Sequence, residues 1–317
     1  MRNPRIVFAG TPEFALASLV ALLAAGLSPV AVLTQPDRPA GRGRRMTASP
    51  VKIHAGQAGI PVLQPETLRD AAAAAGIEAL RPDIIIVAAY GLILPQNVLD
   101  MPAHGCLNVH ASLLPRWRGA APIQAAILAN DDSTGISLMG MTAGLDCGPV
   151  FAASALTIAG DDNAGDLHDR LASLGGELLV EKLPGILDGE IVADAQDDTL
   201  ATYAAKIDKR DAELDWTLPA DELDRHVRAY NPVPGAFFLV GGTGTREPVR
   251  IKVWNARPVA EIDAAPGTVV EYSNDGLIIA CGSGGLCVET MQLPGKRRAT
   301  VLEAMQQIDL RDQRLPG

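Results

Sequence analysis

Cys106-Leu107-Asn108-Val109-His110-Ala111-Ser112-Leu113-Leu114-Pro115 is the stretch from which the rest of the chain is read. A short apolar run ends in an amide and an imidazole. Pro102-Ala103-His104-Gly105 ahead of it makes a turn, so residues 106–109 are expected to form a buried strand. Side chains alternate along a strand. Asn108 and His110, two apart, therefore share one face at its carboxyl end. In open parallel α/β sheets that end is where ligands bind. A donor amide beside a titratable imidazole suits acyl transfer: one group holds a developing oxyanion and the other moves a proton. A lone Asn-x-His also ends ordinary strands with its polar groups satisfied. The sequel weighs against that reading, because residues 112–123 place two prolines, two arginines and a Trp in a loop directly past the strand.

Upstream, Arg5-Ile6-Val7-Phe8-Ala9-Gly10 reads as a strand, and Thr11-Pro12-Glu13 as a helix start with Thr11 as cap and Pro12 in the first helical position. The helix is expected to run to about residue 25, with the next strand at 30–33. This strand-helix-strand unit opens a parallel sheet. Gly10 has no glycine partners in the following turn, so the dinucleotide fingerprint is missing and a nicotinamide cofactor is disfavoured. Further elements are expected as a short helix at 51–58, a helix at 68–80, a buried strand at 83–89, a helix at 122–129, strands at 135–141 and 150–158, and a helix at 164–187. Gly165 and Gly175-Gly176 sit awkwardly in that last helix. The fold expected for residues 1–189 is a Rossmann-like, mostly parallel α/β domain.

Residues 35–50 read as a long loop, a length that is usually functional or disordered. From Gln35 to Lys52 there are five cations, Arg38, Arg42, Arg44, Arg45 and Lys52, against the single Asp37, a net of +4 in a chain of net charge −10. A solvated mobile loop would look like this, but the charge contrast favours an arm that contacts phosphates.

Residues 190–209 are irregular and polar, and are read as a linker. Beyond it, one helix at 221–230 precedes five short strands at 236–240, 249–254, 267–272, 277–281 and 286–291, separated by Gly-rich turns. A helix at 301–307 closes the series. That spacing suggests a small OB-like β-barrel for residues 210–317. Charges from Asp211 onward are eleven basic and fifteen acidic, so this is no globally basic module. Two local patches stand out, Arg246, Arg250, Lys252 and Arg257 around one strand and Lys296-Arg297-Arg298 near the end.

At 317 residues, two domains are expected. The four cysteines, Cys106, Cys147, Cys281 and Cys287, form no CxxC pair and suit a reducing cytoplasm, and no metal site is expected. The apolar stretch at 14–25 follows a turn with a charge and ends at Gly26, too early to span a bilayer, so neither export nor membrane insertion is expected.

Together with Gly144-Leu145-Asp146-Cys147-Gly148, the central stretch resembles the 10-formyltetrahydrofolate-dependent formyltransferases, and the resemblance covers essentially the whole chain. It implies a catalytic set of Asn108, His110 and Asp146, with Asp146 raising the pKa of His110. It implies a folate cleft lined by the backbone of Tyr90, Gly91, Leu92 and Ile93 and of Ala143, Gly144, Leu145 and Asp146, bordered by Ser112, Leu113, Leu114 and Pro115. Cys147-Gly148-Pro149 departs from the Thr-Gly-Asp commoner after this Asp. Within the family, the arginine-rich loop and the second domain point to transfer of the formyl group of 10-formyltetrahydrofolate to the α-amine of methionyl initiator tRNA, with Arg38, Arg42, Arg44 and Arg45 on the tRNA. The expected protein is a monomer that needs no metal. The alternatives are a family member acting on a small amine, such as a nucleotide-sugar or a glycinamide ribonucleotide, and a binding module with a decayed site.

Overall fold

The computed structural model describes residues 4–40, 43, 45–241, 248–311 and 314–316. Two compact units divide the chain. The first draws on Met1–Pro122, Ser133–Thr157 and His168–Ala204, and the second on Ile123–Asp132, Ile158–Leu167 and Ala205–Gly317.

In chain order the elements up to residue 204 are β1 (Ile6–Gly10), α1 (Glu13–Ala24), β2 (Ala31–Leu33), β3 (Arg38–Ala40), β4 (Arg45–Thr47), α2 (Pro50–Gln57), β5 (Val62–Leu63), α3 (Ala71–Ala79), β6 (Ile84–Ala88) and α4 (Gln96–Leu99). They continue with β7 (Cys106–His110), β8 (Arg118–Gly119), α5 (Pro122–Leu128), β9 (Ser133–Gly140), β10 (Val150–Thr157), α6 (Ala164–Leu187) and β11 (Tyr203–Ala204). The main sheet has the order β10-β9-β7-β6-β1-β2-β5. From β7 to β5 neighbours run parallel, whereas β9 lies antiparallel on β7 and β10 antiparallel on β9. The central strands are apolar on both faces: Ile6-Val7-Phe8-Ala9 and Ile84-Ile85-Ile86 are all fully buried. Continuous runs of this kind suit strands covered on both sides.

Three local expectations change. Pro12, not Thr11, holds the cap position of α1, without a side-chain cap bond. The Thr11 hydroxyl donates instead to the Tyr90 carbonyl at 3.0 Å. Residues 35–50 are not a structureless loop, because β3 and β4 pair antiparallel with Arg38 opposite Thr47 and Pro39 opposite Met46. Pro39 lacks an N–H, which a ribbon of two edge strands tolerates. Finally, the glycines of α6 have a packing reason. A Cβ on Gly175 would lie 2.9 Å from Val109 Cγ1, and one on Gly176 would lie 3.1 Å from the Ala17 carbonyl oxygen. With no Cβ at either position, α6 approaches β7 and α1 closely.

Residues 190–204, expected within a linker, carry a 3₁₀ turn at Asp198–Leu200 and then β11, which pairs parallel with β8.

The second unit adds α7 (Ala220–Ala229), β12 (Phe237–Val240), β13 (Val249–Val259), β14 (Val269–Ser273), β15 (Gly276–Ala280), β16 (Gly285–Gln292), β17 (Ala299–Thr300) and α8 (Val301–Met305). Its antiparallel sheet runs β12-β13-β16-β15-β14, with β17 on β16. The expected closure into a barrel is not among the described pairings, since β12 meets no named strand but β13 and β14 none but β15. Trp216, fully buried, packs edge-on against Phe238 with ring centroids 5.7 Å apart. Leu223 and Val227 of α7 lie four apart in the same core, the spacing of one helix face.

Candidate active site

Strand β7 is buried except at Asn108, which is half-buried, and it ends at His110, which is 6% exposed. No side-chain hydrogen bond of Asn108 is found among the described residues. His110 Nε2 lies 3.1 Å from the Trp117 carbonyl oxygen. A carbonyl only accepts, so Nε2 carries the hydrogen and, in the neutral ring, Nδ1 is bare. Nδ1 faces Asp146 Oδ2 at 3.8 Å. That same oxygen accepts from the Gly119 N–H at 2.8 Å.

Burial pushes the His110 pKa below its ordinary 6.5, against the opposing influences of the Asp146 carboxylate and the Trp117 carbonyl. Asp146 does favour the charged ring, as the resemblance implies, but desolvation outweighs it. The imidazole is therefore neutral at neutral pH, and a proton reaching Nδ1 would sit between ring and carboxylate.

The expected bordering loop is held from below. Ser137 Oγ donates to the Ser112 carbonyl at 2.7 Å and accepts from the Leu114 N–H at 3.0 Å. Ser112, fully buried, donates to the Arg116 carbonyl at 2.6 Å. Leu113 and Pro115 are half-buried. The Tyr90 ring is core, only 2% exposed, so this residue offers the site its backbone alone. Its carbonyl already accepts from Thr11 and from Gln35 Nε2 at 3.0 Å. Leu92 is half-buried; Gly91, Ile93, Ala143, Gly144 and Leu145 are exposed. Ile93 and Leu145 are 70% and 62% exposed, two large apolar side chains left to water on the two loops that the resemblance assigns to the folate.

Backbone strain gathers in the same loops. Ala89, Trp117 and Asp146 have φ of 43°, 61° and 48°, a region rare for residues with a Cβ. The 700 Å³ cavity lined by Arg5, Glu78, Arg81, Asp83 and Asp100 lies elsewhere, at the amino ends of β1, β6 and β7, and no candidate residue lines it.

Arg38 and Arg45 are exposed on the hairpin; Arg42 and Arg44, like Arg246, fall outside the described residues. The hairpin root is tied down. Asp37 takes Lys52 Nζ at 2.7 Å and Gln64 Nε2 at 2.8 Å, and these hydrogen bonds hold its carboxyl below the usual range. Among the described residues no group of three His, Cys, Asp or Glu is placed to hold a metal ion. No described helix is long and apolar enough to cross a membrane.

A family profile described as formyl transferase matches residues 4–183, and the profile of its C-terminal domain matches 206–308. The chain belongs to the formyl transferase family. It is 53% identical over 291 residues to the methionyl-tRNA formyltransferase of Pseudomonas syringae pv. syringae, covering 92% of this chain and 90% of the relative. Two solved structures share the fold at 17% identity and TM-score 0.66. One is the N-formyltransferase from Helicobacter canadensis in complex with folinic acid and dTDP-3-aminofucose, matched over 93% of this chain and all of that one. The other is HypX from Aquifex aeolicus in complex with tetrahydrofolic acid, matched over 98% of this chain and 49% of that one.

Several residues of the site are not apparent from local sequence pattern. Thr11 reads as a helix cap and Gln35 as the first residue of the basic loop, and neither pattern points to the Tyr90 carbonyl. Arg118, Gln196 and Thr202 join the site across 78 to 85 residues of chain, a distance over which no spacing rule operates.

Proposed function

We propose that this chain transfers the formyl group of 10-formyltetrahydrofolate to the α-amine of methionyl initiator tRNA, as a cytoplasmic monomer. One observation carries the chemistry: a half-buried amide at Asn108 stands two residues from a buried imidazole that faces a carboxylate and whose burial favours the neutral ring. The amine nitrogen attacks the formyl carbon, and a tetrahedral oxyanion forms. The Asn108 amide is suited to donate to that oxygen. The amine must lose a proton and the leaving folate nitrogen must gain one. A neutral His110 is suited to take and return it, with Asp146 stabilising the charged ring in between. No covalent nucleophile is required. Ile93 and Leu145, with Gly91 in a left-handed turn at φ 81°, suit a flat ring system that needs close backbone approach.

The acceptor reading draws support from two basic regions. Arg38 and Arg45 extend on the hairpin. In the second unit the two expected patches meet at one ring: Arg298 lies 3.6 Å and Lys252 Nζ 5.3 Å from the Trp254 centroid. Arg250 stacks 3.9 Å over Phe237. Cations interleaved with aromatics suit a nucleic acid. Arg257 and Arg297 are instead paired with Glu289 and Glu303.

The test is formyl transfer to methionyl-tRNA, compared with free methionine, an amino-sugar nucleotide and glycinamide ribonucleotide. Efficient transfer to the tRNA alone is expected, and it should survive exhaustive chelation once tRNA folding is controlled. Preference for a small amine would overturn the acceptor, and no transfer to anything would overturn the enzyme.

A further inference from the structure

Gln196 lies 50 residues beyond Asp146 in the chain, between α6 and β11, yet its side chain meets the Asp146 turn. Gln196 Nε2 donates to the carbonyls of Asp146 at 2.9 Å and of Gly148 at 2.7 Å. Gln196 Oε1 accepts from Arg118 Nε at 3.0 Å and Nη2 at 2.8 Å. A guanidinium only donates and a carbonyl only accepts, so chemistry alone decides which end of the amide is which. Arg118 is 2% exposed, and its Nη2 also reaches Asp198 Oδ1 at 2.7 Å.

The Asp146 residue is thus gripped twice from β8. Its carboxylate takes the Gly119 N–H directly, and its main chain is held through Gln196 by Arg118. The grip has a strained object, because Asp146 sits at φ 48°. Such a conformation persists only where its surroundings over-determine it. Relaxation of the turn would carry the carboxylate away from His110.

We propose that Gln196, oriented by Arg118, is a positioning residue that keeps the Asp146 turn left-handed and so aims the carboxylate at His110 Nδ1. This rests on the reading of Asn108, His110 and Asp146 as the reacting set.

Gln196→Glu is the sharpest test. It keeps the size of the side chain and an acceptor for Arg118, and it loses both donations to the turn. Gln196→Ala loses the whole link. Both variants should lose about 10-fold to 10²-fold in kcat, the scale of a small misplacement, with KM for either substrate within about 3-fold. The unfolding midpoint of Gln196→Glu should stay near that of the parent. A readout independent of turnover is the His110 titration by NMR, assigned by its loss in His110→Gln. In Gln196→Ala the His110 pKa should fall further, because the carboxylate that raises it is released. Parent-like kcat in both variants overturns the proposal. So does a fall in kcat with an unmoved His110 titration in Gln196→Ala, which would mark a merely structural role. Failure of the catalytic reading looks different: Asn108→Ala and Asp146→Asn would then keep full transfer activity, whatever Gln196 does to the titration.

Discussion

The hairpin at 38–47 and the Asn108, His110 and Asp146 cluster are built in opposite ways. Every hairpin residue whose exposure is described is at the surface, and its described anchors lie at the root, in Gln35 and Asp37. The cluster is enclosed, with His110 and Asp146 fixed by Trp117, Gly119 and Gln196. On the proposed reading the proton-moving pair, His110 and Asp146, must be held within fractions of an ångström, and nested hydrogen bonds hold both. On the same reading the hairpin arginines meet phosphates, which reward reach more than precision. The two constructions match the two proposed tasks.

The largest expected effect breaks the cluster. Asn108→Ala should lower turnover by ~10²–10³, because an oxyanion donor acts mainly in the transition state. Binding of a folate analogue, measured by titration, should be nearly unchanged. A variant with parent-like turnover would remove Asn108 from the reaction and leave the cluster no stiffer in purpose than the hairpin.

The next prediction sharpens the comparison through pH. Burial depresses the His110 pKa below 6.5, so the folded protein binds fewer protons here than the unfolded chain. The group costs nothing above pH 6.5, and stability falls as pH drops from there through the folded pKa. The acid limb of the kcat profile should accordingly lie below pH 6.5. Asp146→Asn removes the influence that raises the pKa, so its limb should move lower still, on top of a reduced maximum. A limb moving upward would reverse the assigned electrostatics.

The hairpin is then tested against its own root. Replacing Arg38 and Arg45 together with Ala should weaken tRNA binding and reduce the log–log salt slope by up to about 2. Turnover at saturating tRNA and folate binding should hold. Gln35→Ala should behave differently, raising the KM for the folate donor, because Gln35 supports the Tyr90 carbonyl beside the proposed donor loop. Equal effects of the two variants on both ligands would erase the distinction between arm and root. The smallest effect is on stability: Arg38→Ala and Arg45→Ala should each shift the unfolding free energy by no more than about 0.5 kcal/mol in a denaturant titration, as exposed side chains do.

What the sequence makes legible follows from the range of the interactions. The apolar runs 6–8 and 84–87 declare buried parallel strands because covering both faces demands it. The two-residue spacing of Asn108 and His110 declares a common face for the same geometric reason. The pairing of β3 with β4 is hidden, because a short ribbon of Arg, Pro and Thr has no hydrophobic period. The direction of the His110 shift is also hidden, since it depends on how deeply the ring is buried. Gln196 reads as one more polar residue in an irregular tract, and its part emerges only when Arg118 and Asp146 are brought to it.

The bonds from Trp117 to Thr202 and from Arg118 to Asp198 join residues 85 and 80 apart in the chain. Contacts this distant need nearly the whole unit to be present, and loop closure must precede any reward. A ribosome delivers the chain from its amino end. A nascent chain halted before residue 196 already holds Asn108, His110 and Asp146, but lacks the amide that grips the Asp146 turn and the strand that pairs with β8. On the proposed reading, the Asp146 turn therefore gains its full support only once a segment 50 residues downstream has been made.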